Sequence, residues 1–224
     1  MNVRVGQVGE WWVVASDAGP VKTPAGTPLV SHHREIAEEA AADVARWGTD
    51  PTAKTTTFSL QASYLDFGIP VKRHVLEENT ASIWPDDLFV QRERTPELAD
   101  ALRGLWGPVD LDRAAFREAL RKLTLRQLMA TMTAGHVLRT AVLGLRVVTT
   151  DAPLPPLAVG ACGRRFPSTG RHEPTDRDDA YCAGICRAGT ADDLEQFRRR
   201  CALHPLLDKM RRWAAFPEEV EKAR

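Results

Sequence analysis

Trp11-Trp12-Val13-Val14-Ala15, Asp17-Ala18-Gly19-Pro20, Val21-Lys22-Thr23, Pro24-Ala25-Gly26-Thr27 and Pro28-Leu29-Val30 follow one another near the start of the chain. The first is a compact apolar run of strand-forming residues, and the second carries turn chemistry. The third reads as a short strand. The fourth is another tight turn, with Gly26 placed where the backbone needs a positive φ. Strand, turn, strand, turn and strand make a β-meander. Trp11 and Trp12 are adjacent, so on a strand they point to opposite faces. One belongs to the core; the other is either covered by the helical part or exposed for a partner, a common role for Trp at interfaces.

Outward from this stretch the periodicity changes. Ser31 is placed to cap the next element. Ile36, Ala40, Val44 and Trp47 recur on one face of an amphipathic helix that Gly48 ends in a C′ position. Asp50-Pro51 opens a loop. Thr55 to Phe67 stays open between two readings. Its threonines and Phe58 favour strand, whereas Leu60, Tyr64 and Phe67 fit helix spacing.

From about Pro70 the pattern is mostly helical. Pro96 starts a helix with Leu98, Leu102, Leu105 and Trp106 on one side and Gly107-Pro108 as its stop. Asp110 is the expected cap of the next, which buries Phe116, Leu120 and Leu123. Thr124-x-x-Gln127 has the form of a capping box. The helix it opens is expected to run unbroken through Val148. It is apolar on nearly every side and so belongs at the centre of a bundle, with His136 as a core histidine or a packing contact.

Composition narrows the function classes. The chain has 224 residues, with 30 Lys+Arg against 30 Asp+Glu and 43% hydrophobic residues. A nucleic-acid binder would carry a basic excess, and a disordered chain would carry fewer apolar residues. Met1 to Glu10 is polar and lacks the apolar core of a signal peptide. The most apolar stretch, Leu125 to Val148, is interrupted by Arg126, His136, Arg139 and Arg146. An Arg near the middle of a span costs about 2.5–3.5 kcal/mol on insertion scales. The expectation is a soluble, intracellular protein: cytoplasmic in a bacterium, or in the mitochondrial matrix in a eukaryote although no transit peptide is visible.

Beyond Val148 the chain changes character. Residues 149–189 are rich in Pro and Gly and hold Cys162, Cys182 and Cys186. So long a patternless stretch inside a compact domain needs a staple or stays loose. Cys182-x3-Cys186 is acceptable zinc-ligand spacing, Cys162 can approach from the other arm, and Cys201, His172 or His204 can complete four ligands. Free thiols and disulfides are the competing readings, and Cys201 also completes the apolar stripe of Leu194 and Phe197. Thr190 caps the helix bearing that stripe, and Pro205 starts a last helix with Leu206, Met210 and Trp213.

Catalytic signatures are absent. There is no G-x-S-x-G, no phosphate loop and no G-x-G-x-x-G after a strand. His32-His33 beside Glu35 lacks any metal-ligand spacing and reads as a solvated helix entrance. Gly160 to Arg165 is glycine-rich and basic but lacks the following helix that an anion site uses. Arg198 to Arg200 alternates with acidic neighbours as a solvated face does.

Three blocks of the sequence resemble one family, the assembly chaperones that act on the α subunit of F-type ATP synthase. The first is Trp12 to Val30, above all the Pro20 to Leu29 string, continued by Ile36-Ala37-Glu38, Gly48, Asp50-Pro51 and Tyr64-Leu65-Asp66. The second is Asp87 to Arg92 with Pro96-Glu97-Leu98 and Trp106-Gly107-Pro108. The third is Leu120 to Val148, with Gly135-His136 inside it. The C-terminal acidic pattern of the family is only faintly matched by Asp193, Glu195 and Gln196.

The resemblance implies an α+β fold: a β-rich N-terminal domain over residues 1–69, then a helical domain over 70–224 that carries the Pro/Gly/Cys-rich insertion. It implies a protein client, no catalysis and no required cofactor, with Lys22, Asp66, Arg92 and Trp106 shaping the shared surface. A descendant whose zinc-stapled C-terminal segment, on Cys162, Cys182, Cys186 and Cys201, binds a different protein is the alternative.

Overall fold

Val3 and Val5 alternate with Arg4 and Gly6, and this alternation builds an edge strand, β1 (Val3–Val8), out of what reads in sequence as a polar lead-in. In the computed structural model, which describes residues 2–49, 56–87, 90, 111–138, 140–150 and 203–217, β1 turns at Gly9-Glu10. It pairs antiparallel with β2 (Trp11–Ser16), from Val8↔Trp11 to Val3↔Ser16. The second edge of β2 is shared. β3 (Gly19–Pro20) takes Ala15 and Ser16, and β4 (Val30–Ser31) takes Trp12 and Val13.

Val21-Lys22-Thr23, expected as a strand, contributes only a bridge of Lys22 to Pro28. Its backbone is nonetheless used. Val21 N–H donates to Val14 O at 2.9 Å, Leu29 N–H to Val21 O at 2.8 Å, and Val14 N–H to Leu29 O at 3.0 Å. These bonds gather Val14, Val21 and Leu29, all buried, under the sheet. Paired backbone is what allows so short a ladder to sit in a core.

α1 (Arg34–Trp47) covers that core with Ala40 and Val44 and turns Ile36 of the same expected face toward the helices; the Trp47 side chain lies outside the described residues, and Gly48 ends α1 at φ 77°. Ser31 is not its cap. It lies in β4, where its hydroxyl accepts from His33 N–H at 3.0 Å, and His33 is the N-cap residue. Of the ambiguous stretch, the described part beyond Thr56 resolves as helix. Thr56 caps α2 (Thr57–Ser63) by accepting from Ser59 N–H at 3.1 Å, and the chain continues as a π-helical turn, Tyr64–Gly68.

α3 (Arg73–Ala81) and a short 3-10 turn (Trp84–Asp86) follow. α4 (Arg113–Arg121) is capped by Asp112, which accepts from Ala115 N–H at 2.7 Å; Asp110 lies outside the described residues. Phe116, Leu120 and Leu123 are buried as expected. The capping box forms in both directions: Thr124 N–H donates to Gln127 Oε1 at 2.9 Å, and Gln127 N–H to Thr124 Oγ1 at 3.2 Å.

The single long helix does not form. The chain makes α5 (Leu125–Leu138) and α6 (Ala141–Thr149), folded back on each other. Thr140 is extended (φ −148°, ψ 99°), and its hydroxyl accepts from Leu143 N–H at 3.1 Å. The fully buried Asp87 carboxylate takes a second free donor, Val142 N–H, at 3.0 Å. With its N-terminal donors satisfied this way, α6 starts afresh. His136, expected inside, is exposed near the end of α5, because Ala134 and Gly135 occupy the face turned to α6 and Ile83.

α7 (Leu203–Ala215) closes the described chain and buries Leu207, Met210 and Trp213 against α5 and α6. Two apolar clusters result, one under the sheet and one among the helices, and they meet along α1 and α2. From these helices Val44, Ala40 and Phe58 join the first, while Ile36, Leu60 and Tyr64 join the second.

Candidate functional site

The π-helical turn sits where the two clusters meet, and it determines which side chains face outward. Leu60 and Tyr64 are buried on one side of α2, and a regular helix would put Phe67 on that same side. The wider turn adds about one residue per repeat. Gly68 takes the inward place instead, where a Cβ would stand 3.1 Å from Tyr64 Cδ2 and 3.2 Å from Met129 Cγ. Phe67 is turned out and is 56% exposed. Ile69 and Val75 follow, each 39% exposed.

Asp66, in the same turn, is half-buried and reaches back to the β-hairpin. Its Oδ1 accepts from Thr23 Oγ1 at 2.6 Å and its Oδ2 from Ala25 N–H at 3.1 Å. Thr23 Oγ1 also accepts from Thr27 N–H at 3.1 Å, so one hydroxyl ties the hairpin to itself and to the turn. Gly26, between them, has φ 86°, as a turn residue there requires. Lys22 lies next to Thr23 with its side chain exposed. Of the four partner-binding candidates, Lys22 and Asp66 are described: Lys22 is exposed, and Asp66 is spent on the hairpin. Arg92 and Trp106 lie outside the described residues, as do Cys162, Cys182, Cys186, Cys201 and His172. Of His204 only the backbone is described.

Beneath the turn lies a polar hub. Gln61 Nε2–H donates to Val30 O at 2.7 Å, and Gln61 Oε1 accepts from Arg126 Nη1 at 3.1 Å and Trp213 Nε1 at 3.2 Å. The Arg126 guanidinium stands 4.3 Å from the Tyr64 ring centroid and 4.9 Å from that of Trp213, with no exposure of the residue to solvent. Aromatic faces and a side-chain carbonyl replace part of the hydration a buried cation loses. One amide thus joins β4, α2, α5 and α7. Sequence reading treats Arg126 as an interruption of an apolar stretch. An Arg at the first turn of an otherwise apolar helix is the signal that something polar lies opposite it.

The paired tryptophans face apart as expected. Trp11 stacks on His32 with ring centroids 3.6 Å apart, and Trp12 packs on the sheet-side core with the Arg34 guanidinium 5.3 Å from its ring. His33 Nε2 lies 3.0 Å from Pro217 O, tying the entrance of α1 to the end of α7. Among the described residues no three His, Cys, Asp or Glu side chains gather as a metal site. No helix there is long and apolar enough to cross a membrane.

A solved structure shares this arrangement of sheet and helices. A candidate chaperone from Agrobacterium tumefaciens superposes with a TM-score of 0.50 over 95% of this chain and 81% of its own, at 19% identity. The chain has that protein's fold. Atp12 from Paracoccus denitrificans gives a TM-score of 0.45 at 18% identity, covering 96% of this chain and 94% of its own. No protein-family model matches the sequence, and no curated protein matches it either.

Proposed function

We propose that this protein is a non-enzymatic assembly chaperone that holds the α subunit of F-type ATP synthase before that subunit joins the catalytic hexamer. The observation that carries the reading is the meeting of the sequence blocks that resemble the family. Asp66 of the Tyr64-Leu65-Asp66 block hydrogen-bonds the Pro20 to Leu29 hairpin, and Asp87 of the second block caps the helix that ends the third. Residues far apart in sequence but matched to one family are thus partners in one framework. The shared fold of the candidate chaperone from Agrobacterium tumefaciens supports the same reading.

The physical task asks for no active site. An unassembled subunit exposes apolar interface that aggregates, and a chaperone covers that surface until the proper neighbour arrives. Capture draws on the covered surface alone, so it needs no ATP. Light scattering of isolated ATP synthase α subunit, diluted from denaturant, tests the proposal. Scattering falls when the protein is present in equimolar amount, with or without ATP. Identical traces with and without the protein would sink it.

A further inference from the structure

We infer that Phe67, Ile69 and Val75 form the apolar centre of the client-holding surface, and that the segment they take is apolar and flanked by acidic residues. This rests on the chaperone reading, which makes the client the α subunit of F-type ATP synthase. Large apolar side chains left in water forgo the stabilisation that burial brings. In most surface positions a single one needs no account. Here three lie between Phe67 and Val75, and the π-helical turn is what puts the largest of them outside. A regular helix would have kept Phe67 on the face of Leu60 and Tyr64. π-turns are uncommon and gather at functional positions because they re-aim side chains at some cost in backbone regularity.

The charge around the patch identifies the occupant. Lys72, at the N-cap of α3, and His74, in its first turn, are exposed, and that turn carries no acidic residue. Helix N-termini ordinarily attract carboxylates, and the first turn of this one supplies none. Arg73 is engaged: its guanidinium pairs with Glu77 at 2.7 Å and donates to the carbonyl oxygens of Leu123 at 2.6 Å and Arg121 at 3.1 Å. Asp66, the acid nearest in sequence to Phe67, has both oxygens occupied by the hairpin, and Glu78, one turn on from Val75, pairs with Arg117 at 2.7 Å. An apolar centre with Lys72 and His74 at its rim complements an apolar segment bearing Asp or Glu at its ends.

Binding of isolated α subunit to the full-length protein and two variants tests this, with thermal denaturation as the folding control. Phe67→Ser should weaken binding about tenfold or more, as loss of a central aromatic anchor does, while the melting temperature stays at that of the parent. Lys72→Glu should weaken binding less and flatten its dependence on salt, although Glu at that helix position is neutral or favourable for folding. If the parent binds the α subunit and Phe67→Ser binds equally well, the patch is not the holding surface and the chaperone reading survives without it. If the parent does not bind the α subunit at all, the chaperone reading fails and takes this client with it. If the parent instead forms concentration-dependent dimers that Phe67→Ser abolishes, the occupant is a second copy of the chain and the inference is overturned.

Discussion

Gly26 and Gly144 are both fixed by the fold, for opposite reasons. At Gly26, in the sheet-side hairpin, nothing lies within 4 Å of where a Cβ would be, and the constraint is its φ of 86°. At Gly144, in α6, the backbone is ordinary, and a Cβ would stand 2.6 Å from Ala134 Cβ and 2.9 Å from Thr131 Cα. The first half of the molecule is thus secured by backbone conformation at an exposed turn. The second is secured by the shape of two helices in contact, with Gln127 Nε2 reaching Val148 O at 3.2 Å along the same seam. One half tolerates volume but not a change of φ; the other tolerates the reverse.

The largest effect should come from the helical seam. Gly144→Val puts two extra methyl groups and a Cβ against backbone, which cannot move aside as a side-chain tip can. A loss of about 3 kcal/mol or more follows from overpacking of this kind. Urea denaturation measures it, and a variant as stable as the parent would mean that α5 and α6 do not approach so closely. Gly144→Ala should already be costly, and that distinguishes shape from conformation.

Next is the amide that joins the halves. Gln61→Leu keeps the volume near Phe58 and Trp213 but leaves Val30 O without this donor and removes the shared acceptor of Arg126 and Trp213. Buried groups deprived of a partner cost about 1–3 kcal/mol each, so a loss of about 2–3 kcal/mol is expected. Circular dichroism and tryptophan emission should still report a single transition if the two clusters unfold together. Two separated transitions would show that Gln61 is what couples them.

How much of this was legible in the sequence follows from which interactions are local. The hairpin at Gly26, the α1 face of Ile36, Ala40 and Val44, and the Thr124/Gln127 box depend on residues within a few positions of one another, and each is found. The break at Thr140 was hidden because its extended conformation is supported from outside by Asp87, far away in sequence. The same holds for Phe67: the spacing of Leu60, Tyr64 and Phe67 is helical, and only the close fit of Gly68 to Met129 favours the wider turn that moves Phe67 out. β1 was missed because a half-exposed edge strand carries a weak alternation. The hub of Gln61, Arg126 and Trp213 joins three distant segments, and no local pattern announces it.

Gly26→Val should cost about 1–2 kcal/mol, since a β-branched residue is strained at positive φ even in open space. Gly26→Asn should recover most of that loss, because Asn tolerates the left-handed region. Recovery by Asn at Gly26, set against a cost for Ala at Gly144, is the sharpest form of the contrast between the two halves. Equal losses for Val and Asn at Gly26 would mean that space, not φ, is the constraint there.

The smallest effect is expected at Asp66, and it bears on function more than its size suggests. Asp66→Ala removes the acceptor of Thr23 Oγ1 and Ala25 N–H, but the hairpin keeps Thr23 N–H on Thr27 O at 2.8 Å and Gly26 N–H on Thr23 O at 2.9 Å. Ala25 is exposed and water can replace the lost bond there, so the cost should be about 1 kcal/mol. The hairpin should therefore stay formed while its tie to the π-helical turn is lost. Amide hydrogen exchange separates the two: protection of Ala25 should fall sharply, while that of Val14, Val21 and Leu29 stays near its parent level. If protection collapses across all four, Asp66 is needed to fold the hairpin at all. Asp66 would then have a purely structural role, with Phe67 beside it as the exposed residue of that turn.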